Sequence, residues 1–135
     1  MLYLCYMNTR KGFTLLEILI VGAFAGLAVV LFFIQKANVD AFNRDDLRKT
    51  AINAMYYALE EGFYAQNGYY PETISESNLP MMDPQLFTDP NGVNLGMAGS
   101  SYVYEPANCD NDGHCTQYTL SANLEKEATY TKRSR

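Results

Sequence analysis

Three groups of residues in this sequence have the types and spacing to do chemistry. The first is a lone acid, Glu17, inside the otherwise uncharged run Phe13–Ile34. An ionised carboxylate at the centre of a bilayer costs about 2.5–3.5 kcal/mol on insertion scales, so even near the end of a span it calls for a partner. The second is Cys109 and Cys115, set in the oxygen-rich stretch Asn108-Cys109-Asp110-Asn111-Asp112-Gly113. Two thiols this close suit a disulfide if the segment lies in an oxidising compartment; a pair of reduced, buried thiols is the alternative. Asp110 and Asp112 alternate before a glycine, as in a calcium loop, but Thr119 stands where such a loop needs its bidentate acid. The expectation is a polar turn closed by the cysteines, with calcium held by Asp110 and Asp112 as the alternative and no other metal or cofactor.

The third group is looser. His114 is the single histidine, and no Gly-x-Ser-x-Gly, His-Glu-x-x-His or phosphate-loop pattern accompanies it, so it reads as an exposed loop residue and the chain as a non-enzyme. Tyr56, Tyr57, Tyr64, Tyr69 and Tyr70 read as packing between a helix and a sheet, with a ligand-binding surface as the sharper alternative. Lys132, Arg133 and Arg135, with Tyr130, read as a solvated basic tail. Contact of that tail with DNA is not supported by the overall charge of −5, with 15 acidic against 10 basic residues.

The elements that must position these groups follow from patterning. Residues 1–12 are a short basic leader with Arg10 and Lys11. Residues 13–35 form an apolar segment long enough to cross a bilayer. Residues 36–67 continue as an amphipathic helix, with Leu47, Ala51, Met55, Leu59 and Phe63 recurring every fourth position and Ile52 and Tyr56 widening the stripe. Asn43, Arg44, Asp46, Lys49, Asn53 and Glu60 are expected on its outer surface. No proline precedes Pro71, so one helix is expected from Phe13 to Asn67, ending at Gln66-Asn67-Gly68. At about 1.5 Å per residue it would reach roughly 80 Å, too long for the remainder to cover. Residues 68–135 read as a compact head. A proline- and glycine-rich loop leads to strands at Ser101–Glu105 and Gln117–Ala122, joined by a connection containing both cysteines. Ala128–Lys132 is a candidate third strand. With Arg10 and Lys11 on the cytoplasmic side, everything beyond Lys36 is exported, which favours the disulfide. The fold class is therefore α+β, a long N-terminal helix on a small antiparallel sheet.

Residues 10–20 read Arg-Lys-Gly-Phe-Thr-Leu-Leu-Glu-Ile-Leu-Ile, and here the sequence resembles the type IV pilin family, including the pseudopilins of type II secretion. In that family a basic leader ends in glycine, a phenylalanine follows, and a glutamate is fifth after the junction. Gly12, Phe13 and Glu17 match those positions. The likeness is close over residues 8–35 and architectural beyond. It implies cleavage after Gly12 by a prepilin peptidase, N-methylation of Phe13, and pairing of the new α-ammonium group with Glu17 during assembly. The implied product is a structural subunit of a pilus filament serving motility, adhesion or DNA uptake. Its partners would be identical subunits and the inner-membrane assembly machinery, and it would pass from the inner membrane to the cell surface. A type II secretion pseudopilin is the alternative, and a membrane-anchored surface binding module that never polymerises is a second. The chain lacks the late proline of many relatives; Gly22 and Gly26 are the flexible points of its apolar block. A start at Met7 would shorten the leader and remove Cys5. A signal-peptidase site at Ala23-Phe24-Ala25 would leave Glu17 interrupting the apolar region, and a lipoprotein site at Cys5 lacks the apolar run before it.

Overall fold

The computed structural model describes residues 12–135. Residues 1–11 of the leader, with the start at Met7, Cys5 and the basic pair Arg10 and Lys11, lie outside the described residues. Two compact units divide at Asn38 and Val39, and each is treated by itself.

In the first unit, helix α1 (Leu15–Tyr57) begins after Thr14, which caps it: the Thr14 hydroxyl accepts from the Glu17 N–H at 3.2 Å. From Phe13 through Ala37 every residue is exposed. The helix is long and apolar enough to span a membrane, and none of its apolar window is buried within the protein.

The second unit is the head. The later part of α1 presents Ala41, Asp45, Arg48, Ala51, Ile52 and Met55 to a core. A π-helical turn, Ala58–Tyr64, follows, then a final α-turn α2 (Ala65–Asn67) that stops at Gly68 in the left-handed conformation. Four antiparallel strands complete the head: β1 (Tyr70–Pro71), β2 (Tyr102–Cys109), β3 (His114–Ala122) and β4 (Tyr130–Arg133). β3 is central. β2 pairs along one side of it, while β1 and β4 share the other. Tyr118, Leu120 and Ala122 of β3 pack beneath Ile52, Met55 and Leu59, all buried. The observed arrangement is the α+β fold that the patterning predicts.

Five details differ from expectation. Leu47 is 58% exposed, outside the predicted stripe. A residue every fourth position advances about 400° against 360° per turn, so the stripe from Leu47 to Phe63 drifts by roughly 160°. The inward places before Ala51 belong to Ala41, Asp45 and Arg48, which the pattern assigned to neither face. Glu60 was predicted outside and is buried, because the Tyr70 and Tyr118 hydroxyls reach it as donors and satisfy its carboxylate. The cysteines are not in the hairpin connection. Cys109 closes β2 and Cys115 lies within β3, facing each other across the sheet as a disulfide. Finally, the loop after Pro71 is not featureless. It holds a 3-10 turn at Pro84–Phe87, and Tyr70–Pro71 just before it form a strand. The third strand is present, displaced to Tyr130–Arg133.

Candidate functional site

Glu17 stands at the third position of α1, with Thr14 as cap. The Thr-x-x-Glu spacing is half of a capping box, a local signal legible in the sequence. A carboxylate in the first helical turn is favoured by the positive end of the helix dipole, which offsets part of its cost in an apolar setting. Glu17, Gly12 and Phe13 are all exposed, Phe13 at 76%, and nothing lies within 4 Å of a side-chain carbon placed on Gly12. The junction predicted for cleavage and the acid predicted for assembly thus stand open at the start of the apolar helix.

Within the head, buried charge is concentrated at three points. Asp45 and Arg48 pair at 2.8 Å with both side chains about 98% or more buried. Asp45 also accepts from the backbone N–H groups of Glu125 and Lys126, while Glu125 receives Arg48 at 2.9 Å and Arg44 in a bidentate pair. Burial works against the Asp45 charge, yet the two backbone donors and Arg48 hold its carboxyl below the usual range. Glu125 is held down to about 2, chiefly by Arg44 and then by Arg48. The network fastens the segment between β3 and β4 to the helix.

Asp89 is the second point. Burial again opposes its charge, but the Ser101 hydroxyl and N–H, with the Val93 and Asn91 N–H groups, hold its carboxyl below the ordinary range. This acid organises the turn Asp89-Pro90-Asn91-Gly92 and ties it to the start of β2. The third point is Glu60, which accepts from Tyr70 at 3.1 Å and Tyr118 at 2.9 Å. Burial, and then the bond to Glu60, raises both tyrosines; burial alone is the leading cause that pushes Tyr102 up to about 12. Phenols so placed are donors that fix geometry. Asp45, Arg48 and Glu60 lacked a sequence signal because polar residues at helical spacing are assigned outward by default; Asp89 was legible through its Asp-Pro-Asn-Gly turn.

The oxygen-rich loop closes on itself. One Asp110 oxygen accepts from the Asp112 N–H at 3.0 Å and the His114 N–H at 2.8 Å, and the other faces the His114 ring at 3.4 Å. The His114 N–H, followed by the other contacts, holds the Asp110 carboxyl below its ordinary value. Asp112 supplies a backbone donor to this turn, and among the described residues no three His, Cys, Asp or Glu side chains gather to hold a metal.

His114 also stacks on Tyr69, centroids 3.8 Å apart. Of the other tyrosines, Tyr70 is buried and Tyr57 and Tyr64 are largely exposed, so only part of the cluster packs between helix and sheet. The basic tail is not simply solvated. β4 pairing brings Lys132 over the rings of Tyr56 and Tyr130 and sets Arg135 against the Tyr56 hydroxyl and Glu61. Comparison with protein-family models, curated proteins and solved structures finds no match.

Proposed function

We propose that this chain is a structural subunit of a type IV pilus-like filament. One observation carries the reading: a membrane-length apolar stretch, Phe13–Ala37, is exposed throughout and carries a lone carboxylate near its start, while the head has a sealed core of its own. Lipid covers such a helix first, and identical neighbouring helices cover it after assembly. Cleavage between Gly12 and Phe13 frees an α-ammonium group close to Glu17, and in an apolar phase the two charges attract far more strongly than in water. The pair joins neighbouring subunits by heterologous contacts, which build a filament rather than a closed ring. The role is structural, not catalytic, and the filament works at the cell surface.

The test is mass spectrometry of the mature N-terminus after co-expression of the full chain with a prepilin peptidase. The expected product begins at Phe13, and Gly12→Leu blocks it. Glu17→Ala is expected to be cut normally yet to leave little sedimentable polymer. Normal fibres from Glu17→Ala would defeat the pairing, and an uncut chain that never sediments would favour an anchored binding module. Surface fibres against loss of protein secretion on deletion separate a pilus from a secretion pseudopilus.

A further inference from the structure

The cations of the head are engaged, with one exception. Arg44, Arg48, Lys49 and Arg135 are in ion pairs, Lys132 lies over two rings, and Lys126 is engaged as well. The exposed Arg133 side chain, at the end of β4, meets no carboxylate among the described residues. Glu105 on β2 is likewise exposed and meets no cation.

Their placement is not independent. Glu105 pairs in register with Thr119 of β3, and Thr119 pairs with Arg133. Register partners point to the same face, so the three form one row across the outer face of the sheet, acidic at one end and basic at the other. Both ends are open edges among the described residues, since β2 and β4 each pair with β3 alone. Pro106, next to Glu105, has no N–H and obstructs main-chain pairing on the β2 edge, which leaves side chains to make any contact there.

We infer that these two edges meet between copies of this chain, with Arg133 of one copy against Glu105 of the next. The inference rests on the filament reading and adds a head contact to it. β2 and β4 are both antiparallel to β3, hence parallel to each other, so a copy displaced sideways across the sheet continues the row with opposite charges in contact. Two-fold pairing of β2 with β2, or of β4 with β4, would set like charges together and is disfavoured. The contact is therefore heterologous and repeats without closing. The competing explanation is that both charges merely keep open edges from pairing.

A charge exchange in the full-length, assembled chain separates the two. Glu105→Arg and Arg133→Glu are each expected to reduce sedimentable polymer about 5-fold at low ionic strength, and the chain carrying both changes is expected to recover it. The wild-type yield should fall as salt screens the pair. Single variants that polymerise like wild type would overturn the contact, and so would a double variant that stays as poor as the singles. A second measurement uses Arg133→Lys and a carbodiimide: an amide joining that lysine to Glu105 of another copy is expected, and its absence from polymerised material also overturns the contact. Wild-type chain that is cut yet never sediments defeats the filament reading itself, and the contact with it. Both positions are exposed, so unchanged melting temperatures certify that the variants are folded.

Discussion

One helix, α1, has two stretches that answer to different solvents. From Leu15 through Ala37 its leucines, valines and phenylalanines are all exposed within the protein, whereas from Ala41 to Met55 one face is sealed against a core. The sealed stretch carries fewer large apolar residues and two buried charges, yet it is the better ordered chemically, because each of those charges has a partner. Apolar content alone does not make a core. Burial of the second stretch depends on what the strands bring to it; burial of the first depends on what surrounds the protein.

Mutations that remove a partner should expose the contrast most strongly. Arg48→Ala leaves Asp45 as a buried, incompletely compensated charge and is expected to cost about 3–5 kcal/mol, read as a large fall in the head's melting temperature for the full chain in detergent. Leu59→Ala should cost about 2–5 kcal/mol by the same measurement, since that side chain is fully buried. Leu27→Ala, in the exposed stretch, should leave the head's melting temperature unchanged; an equal loss from Leu27 and Leu59 would erase the distinction. Replacing Cys109 and Cys115 with serine should remove about 2–2.5 kcal/mol, in the loop-closure account, and open the β2–β3 hairpin to protease without altering cleavage after Gly12.

Acid should destabilise the head. The Glu125 carboxyl lies below its ordinary value of 4.5, at about 2, so its contribution is complete above the ordinary value and disappears as pH falls through the lower one. The lowered Asp45 carboxyl acts in the same direction. Melting temperature is therefore expected to drop between about pH 4.5 and 2, and Glu125→Gln should flatten that drop. The smallest effect belongs to Leu47→Ala, expected within about 0.5 kcal/mol of wild type; a core-sized loss there would restore the stripe predicted from every fourth residue.

The apolar segment, the helix stop at Gly68, the hairpin and the cysteine pair were legible in the sequence because each is written in local signals: residue type, period and turn chemistry. Glu17 was legible as an anomaly, though its place beside the Thr14 cap was not drawn from the spacing. The Asp45–Arg48–Glu125 network was not legible. Its members lie far apart in sequence, and nothing at Asp45 distinguishes it from the exposed Asp46 until the segment after β3 arrives with two N–H donors. Glu60 was hidden for a related reason: its burial depends on Tyr70 and Tyr118 reaching it from two different strands. The displaced β4 and the two-residue β1 were blurred because strand limits follow pairing with β3 rather than any property of Ala128 or Pro71.

The π-turn at Ala58–Tyr64 acts as a spacer of one residue inside a helical ruler. Each residue of this turn advances somewhat less than the roughly 100° of an ordinary α-helix, so the faces presented before and after it are out of phase. The wider turn resets the angular count where Leu59 closes the apolar layer and Glu60 opens a polar one toward Tyr70 and Tyr118. Everything after it, including the left-handed exit at Gly68 and the entry of Tyr70 beside Cys115, inherits that reset. Removing a single residue from the turn would therefore rephase the whole exit of the helix, a change of alignment that no side-chain substitution in this part of the head can imitate.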